Sequence, residues 1–322
     1  MCSFRQEQQW EKDLVSIMIP TYNRPYLFEK TLQSALAQTY PHVEILINDN
    51  STNEATALLM KKYLSDSRVH YFRNRAAKCK ADNFKFFEYQ ARGQYLQWCM
   101  DDDVLLPEKL SAMVQVLRDN PRITLVSSQR AFIDADGNVL PGEGRDVIKD
   151  DVPWRCYSGR EAGRYMLENC SNFIGEPSAV LYRRQDMLHD YWQAECRGYK
   201  AISDVAMWLQ LLEKGDLLLF REPLSCYRRH DAQEGQCAEI ILLSRLEWLL
   251  LACEYCERGV FLTKDGYVKT KEHLWHDYLH LREQPWVRQA SNYATYAEAL
   301  ELVCGENTAN MTNLVTAHNA SK

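Results

Sequence analysis

Five short apolar runs, at 15–19, 43–47, 69–72, 95–99 and 123–127, punctuate the first part of this chain at near-even spacing. Helix-patterned segments lie between them. Leu27, Leu32, Ala35 and Leu36 recur at helical spacing in 26–38. A helix from Asn53 to about 64 would place Leu58, Leu59 and Tyr63 on one face, and 81–91 carries Phe84 and Phe87. A further helix, to about 120, starts at Pro107, where the missing N–H costs nothing. Strand and helix alternating in this way require crossover connections. The expected class is therefore α/β, a largely parallel sheet with helices on both faces. In such sheets ligands bind at the carboxyl ends of the strands. Three polar clusters fall there: Thr21-Tyr22-Asn23, Asn48-Asp49-Asn50-Ser51-Thr52 and Asp101-Asp102-Asp103.

The three adjacent aspartates need an explanation. Two unit charges about 5 Å apart repel by roughly 3 kcal/mol at an effective dielectric of about 20. Either something positive sits among them, with a divalent cation on oxygen ligands as the obvious candidate, or they form a well-solvated loop with a helix-capping aspartate.

Beyond Ser128 the pattern changes. Asp136-Gly137 marks a hairpin turn in 131–141, and 142–157 reads as a loop facing a site. Helices are expected at 159–169, from about Arg184, and at 205–213. Short strands are expected at 178–182, 217–220 and 225–227. From Ala238 the chain reads as helices broken near Gly259 and Gly266.

Composition narrows the classes. A formal net charge of −6 argues against a general nucleic-acid binder. The first residues lack the apolar core of a signal peptide. The long apolar stretch at 240–256 is interrupted by Arg245 and Glu247, so it reads as a core-facing helix rather than a membrane span. Eleven cysteines without a secretory signal read as reduced thiols, which implies a cytoplasmic protein. Cys253 and Cys256 form a C-x-x-C with no second pair, which is weak as a zinc signal. His273, His276 and His280 share one face of a late helix and read as a solvated or partner-facing stripe.

"VSIMIPTYNRPYLFEKTLQSALAQTYPHVEILINDNST" followed by "QYLQWCMDDDVLLPEKL" resembles the inverting family 2 glycosyltransferases, which have the GT-A fold. "NFIGEPSAVLYRR", "ISDVAMWLQLL" and "CYRRH" are similar to the acceptor half of such enzymes. The resemblance covers about 13–235. It implies a catalytic domain over 1–235, with a nucleotide-binding half at about 13–128 and an acceptor half at about 129–235, and a helical extension over 236–322.

The resemblance also implies roles. Pro20, Thr21, Tyr22, Asn23, Asp49, Asn83 and Asp101 would bind the donor nucleotide, with Asp49 reading the imide N–H of uracil or thymine. Asp102, Asp103 and His230 would hold Mn²⁺ or Mg²⁺, and Asp204 would be the catalytic base. Glu176 and Ser178 would line the acceptor or donor sugar. Plainer readings stand beside these: Tyr22 as core, Asp49 as an Asx turn, Asp204 with Ser203 as a helix cap, and His230 as a surface residue. The chain departs from the family pattern at Met100, where the first aspartate of the D-x-D-D usually stands. It departs again at Asp82, where an arginine is usual and Arg75, Lys78 or Lys80 would have to substitute.

The expected partners are a nucleotide-diphosphate sugar and a glycan, lipid-linked or protein acceptor, with no nucleic acid. The C-terminal helices are candidates for homo-oligomer or peripheral contacts at the inner face of the membrane. A sugar-phosphate nucleotidyltransferase would need a glycine-rich loop where "PTYNRP" stands. The remaining alternative is a non-catalytic nucleotide-sugar-binding module of the same fold.

Overall fold

The computed structural model describes residues 10–77, 79–141, 147–187, 198–230 and 237–304. The strands are β1 (Glu11–Thr21), β2 (Val43–Asp49), β3 (Val69–Arg73), β4 (Gly93–Trp98), β5 (Val104–Leu105), β6 (Ile123–Ile133), β7 (Trp154–Tyr157), β8 (Leu181–Arg183) and β9 (Asp216–Arg228). The helices are α1 (Pro25–Leu36), α2 (Ala55–Met60), α3 (Lys80–Gln90), α4 (Lys109–Asp119), α5 (Gly159–Glu168), α6 (Ser203–Lys214), α7 (Ala238–Glu257), α8 (Lys264–Leu281), α9 (Pro285–Arg288) and α10 (Tyr293–Cys304).

The strands form one sheet in the order β3-β2-β1-β4-β8-β6-β9-β5, with β7 paired to β9. The first four are parallel. β8 runs antiparallel to both β4 and β6, so the sheet is mixed beyond β4. Helices cover both faces of the parallel part. Val15, Ile17 and Ile19 alternate along β1 onto the face that meets Phe28, Leu32 and Ala35 of α1. Leu110, Met113, Val114 and Leu117 join them from α4 at i, i+3, i+4, i+7 spacing. On the other face Phe84 and Phe87 of α3 pack on Trp98, with ring centroids 4.9 and 5.3 Å away. Each fully buried side chain of this size stabilises the fold by about 1.5–3 kcal/mol.

Several local expectations are corrected. Pro20 does not end β1; it is buried within it, paired with Asn48. The expected strand at 178–182 is a 3₁₀ turn, Pro177–Ala179, followed by the short β8. Arg184–Asp186 is another 3₁₀ turn, and the rest of the helix expected from about Arg184 falls on 188–197, outside the described residues. The segments at 217–220 and 225–227 are one strand, because a register shift against β6 absorbs the Arg221-Glu222-Pro223 break. The end of the expected loop at 142–157 is β7. Gly266 lies in the first turn of α8, while Gly259, at φ +64°, falls in the link before it. The expected hairpin is present: Gly137 turns at φ +101°, and Leu140 N–H reaches the Phe132 carbonyl at 2.8 Å.

By contact the chain divides into two compact units, and the division is not linear along the sequence. The first holds 1–156, 174–190 and 215–229; the second holds 157–173, 191–214 and 230–322. Within the second, Ser158 caps α5. Its hydroxyl accepts from the Glu161 N–H at 3.2 Å and donates to the Glu161 carboxylate at 2.8 Å. Among the described residues no helix is long and apolar enough to cross a membrane.

Candidate active site

The register of the parallel strands builds the site in the first unit. Thr21 pairs with Asp49, and Asp49 with Arg73, so three strand ends set these side chains in one row. Asp49 is fully buried. Its carboxylate accepts from the Ser51 N–H at 2.8 Å, the Tyr71 hydroxyl at 2.6 Å and Arg73 at 2.6 Å. The bond to Ser51 is the Asx turn, and the ion pair is additional to it. Burial, and then the Asp49 carboxylate, push the Tyr71 phenol up to about 12.

Asn23, at φ +55°, ties the turn after β1 to the turn after β2. Its N–H donates to the Ser51 hydroxyl at 2.7 Å, and its side-chain oxygen accepts from the Thr52 N–H at 3.0 Å. Asn83 of α3 reaches the same rim, donating to Asn50 at 2.8 Å while its carbonyl accepts from Asn48 at 2.9 Å. Tyr22 is half exposed, so it is not core. It is available as a stacking face.

The aspartate turn abuts this row. The Thr21 hydroxyl donates to Asp101 at 2.9 Å and the Tyr22 N–H at 3.3 Å. Arg24 bridges two of the carboxylates, lying 3.4 Å from Asp101 and 3.1 Å from Asp102. Burial pushes the Asp101 carboxyl up to about 6, the Asp102 charge adds to the rise, and Arg24 opposes it. Asp103 is raised well above the usual range, first by burial and then by the charges of Asp102 and Glu176. It accepts the Arg228 N–H at 3.2 Å. Arg228 itself is buried; its guanidinium bonds the carbonyls of Asp102, Asp134 and Ala135 at 2.7, 3.0 and 3.1 Å.

Ser178, also buried, accepts the Met100 N–H at 3.0 Å, so it braces the aspartate turn from below. Glu176 pairs with Arg130 at 2.9 Å and keeps one buried carboxylate oxygen without a hydrogen-bond partner. Lys109 is buried beneath, with its ammonium 2.7 Å from the Ala179 carbonyl; burial draws it down to about 7.

Asp204 and His230 belong to the second unit. Asp204 is half-buried in the first turn of α6. It accepts from the Asn172 amide at 2.8 Å and from the Val205 N–H at 2.8 Å. His230 is half-buried.

The first unit therefore gathers Pro20, Thr21, Tyr22, Asn23, Asp49, Asn83 and Asp101–Asp103, with Glu176 and Ser178, about one rim. Arg24, Arg73 and Asn172 are contacts that sequence reasoning missed. Of the cations considered in place of the absent arginine, Arg75 pairs with Glu54, Lys80 lies over the Phe84 ring, and Lys78 is outside the described residues. Among the described residues no three His, Cys, Asp or Glu side chains are grouped to hold a metal by themselves. The nine described cysteines are free, and His273, His276 and His280 are exposed.

A mixed α/β sheet carrying this polar rim at its strand ends, with C-terminal helices, is the GT-A architecture. The glycosyl transferase family 2 model matches residues 16–188, more than half of the chain, and the chain belongs to that family. An uncharacterized glycosyltransferase of Rickettsia prowazekii is 30% identical over 285 residues, 80% of this chain and 82% of its own length. Protein CgeD of Bacillus subtilis is 32% identical over 128 residues, so the match spans 37% of this chain but 30% of that protein. Among solved structures, S. aureus TarS 1–349 in complex with UDP-GlcNAc superposes with a TM-score of 0.58 at 13% identity, covering 94% of this chain and 81% of that one.

Proposed function

We propose that this protein transfers a sugar, with inversion, from a nucleotide-diphosphate sugar to a hydroxyl of a glycan, lipid-linked or protein acceptor in the synthesis of cell-surface polysaccharide or glycoconjugate. UDP- or dTDP-sugars are the favoured donors, working at the cytoplasmic side. The observation that carries the reading is the row of Thr21, Asp49 and Arg73 set directly against the aspartate turn. A base-reading carboxylate and a diphosphate-facing acidic cluster thereby share one rim.

Each oxygen of Asp49 can accept about two bonds, and three are already made. A uracil imide N–H would take the remaining place or displace Tyr71 or Arg73, with Tyr22 stacking on the ring. Asn23, Asn83 and Asp101 would bind the ribose and phosphates.

The acidic cluster fits a hard cation by its chemistry, since all its donors are carboxylate oxygens. Among the described residues too few ligands converge to coordinate the ion without help, so the donor diphosphate would complete the set. Asp102 and Asp103, with His230, are the proposed holders of Mn²⁺ or Mg²⁺. When bound, the ion would offset charge developing on the leaving diphosphate. Asp204 takes the proton of the acceptor hydroxyl while its oxygen attacks the anomeric carbon in line. The bond from that carbon to the diphosphate breaks, and the nucleoside diphosphate leaves with the electron pair. Glu176 and Ser178 would line the sugar. The relatives named as glycosyltransferases and the UDP-GlcNAc complex of TarS support this donor class.

Thermal unfolding with UDP, dTDP, GDP and CDP, each with and without Mn²⁺, tests the donor site. A ligand at a hundredfold excess over its dissociation constant adds about 2.7 kcal/mol of stability. A metal-dependent rise with UDP or dTDP is expected. No rise with any nucleotide overturns the reading and leaves the non-catalytic alternative no better placed. Full transfer activity in Asp204→Asn removes Asp204 as the base.

A further inference from the structure

Glu247 lies on α7 with no solvent exposure. A buried carboxylate is costly unless hydrogen bonds replace its water. Three consecutive backbone N–H groups do so here. Lys200 donates to one oxygen at 2.8 Å, and Ala201 and Ile202 donate to the other at 2.8 and 3.0 Å. Three amides of one turn aimed at one carboxylate form an anion nest. The bonds join a C-terminal helix to a turn 45 to 47 residues earlier in the chain.

That turn runs straight into α6. Ile202 already accepts the Ala206 N–H at 3.1 Å, and the first two residues of the helix are Ser203 and Asp204. One residue, Ser203, therefore separates the Glu247 nest from Asp204. The Asn172 amide donates to the Asp204 side chain at 2.8 Å. A negative charge beside the start of α6 also complements the helix dipole.

We infer that Glu247 is a positioning residue for Asp204: by gathering the N–H groups of Lys200, Ala201 and Ile202 it fixes the angle at which the chain enters α6, and so where the Asp204 carboxylate points. The inference rests on the reading of Asp204 as the base. A misplacement of about 1 Å at a reacting group costs on the order of a hundredfold in rate. A polar residue on an apolar helix in the C-terminal segment thereby acts on the chemistry without touching substrate.

Glu247→Gln tests it. The amide keeps the size of the side chain but has one acceptor oxygen, and its NH₂ would face an N–H. Activity is read as nucleoside diphosphate release, with UDP-GlcNAc as the probe donor, or with the sugar of whichever nucleotide raises thermal stability. Hydrogen exchange at residues 200–206 gives a readout independent of the donor. The expected result is kcat lower by about tenfold or more with the donor KM within about twofold, and faster exchange at Lys200–Ile202. Glu247→Asp, one methylene shorter but still charged, is expected to restore part of kcat. It carries the same test should Glu247→Gln fail to fold.

Unchanged exchange at Lys200–Ile202 overturns the inference whatever the activity. Wild-type kcat in Glu247→Gln alongside an inactive Asp204→Asn overturns it while leaving the base assignment standing. Full activity in Asp204→Asn removes the base, and this inference goes with it.

Discussion

At the scale of single residues, the three aspartates meet two arginines that are distant in sequence. Arg24 faces Asp101 and Asp102 from the turn after β1, and the backbone N–H of Arg228 caps Asp103. A cation arriving at Asp102 meets the Arg24 guanidinium at the same oxygen. Like charges about 5 Å apart repel by roughly 3 kcal/mol at an effective dielectric of about 20. Arg24→Gln should therefore bind Mn²⁺ several-fold more tightly in the absence of nucleotide, as read by the free-Mn²⁺ signal in spin resonance. Unchanged or weaker affinity would show that Arg24 and the ion do not compete. Asp49 presents the opposite case, a fully buried carboxylate whose partner Arg73 is largely covered. Removing one member of such a pair costs about 3 kcal/mol or more. Asp49→Asn should lose that much in urea unfolding and lose the UDP-dependent thermal shift as well; a variant that keeps the shift removes Asp49 from base reading. The acidic residues were legible in the sequence because carboxylates beside a strand end need an explanation. Arg24 and Arg73 were not, because their partners lie 77 and 24 residues away and only strand register brings them together.

At the scale of elements, β1 to β4 and the helices α1 and α3 were legible because apolar period and length agree there, whereas the helix expected from Asn53 to about 64 is helical only over Ala55–Met60. Past Ser128 the agreement fails for a physical reason. β9 carries a break at Arg221-Glu222-Pro223 that a register shift absorbs, and β8 has only three residues, so neither shows its full length as a pattern. The join of β1 and β4 makes a sharper demand. A Cβ on Gly93 would stand 2.7 Å from the Leu14 carbonyl and the Ser16 nitrogen. Both are backbone atoms of the neighbouring strand, so no rotamer change relieves the overlap. Gly93→Ala should cost about 3 kcal/mol in denaturant unfolding; a neutral result would mean that the strands separate there without penalty. The contact between α7 and the start of α6 makes a demand that depends on pH. Burial raises the Glu247 carboxyl to about 7, opposed by the N–H groups of Lys200, Ile202 and Ala201 and by the Lys200 charge. Between its ordinary value of 4.5 and about 7 the folded protein binds more protons there than the unfolded chain, so stability falls as pH rises through that window. At 1.36 kcal/mol for each pH unit the full effect is about 3 kcal/mol. The stability of the wild type relative to Glu247→Gln should therefore fall between pH 4.5 and 7 and level off above. A difference independent of pH would mean that Glu247 titrates normally.

At the scale of the whole molecule, the sequence invites a cut near 235, where the family resemblance stops and a helical extension begins. The contacts within the second unit give a reason to expect such a cut to fail. Tyr255 of α7 donates to Glu213 of α6 at 2.9 Å, and Thr270 of α8 donates to the Leu167 carbonyl of α5 at 3.1 Å. A Cβ on Gly163 of α5 would stand 2.6 Å from the Phe261 ring, so that ring packs directly on the α5 backbone. Met166, Leu167, Val205 and Trp208 are buried in the same unit as the chain from beyond 237. Deleting it would expose these side chains, each worth about 1.5–3 kcal/mol when buried. A chain ending at 235 should keep a protected 10–133 core in limited proteolysis, while cleavage opens within 157–173 and 198–214. If that truncated chain instead melts cooperatively at the temperature of the full protein, with 157–214 still protected, α5 and α6 are held without the C-terminal helices. Glu247 would then have no part in placing Asp204.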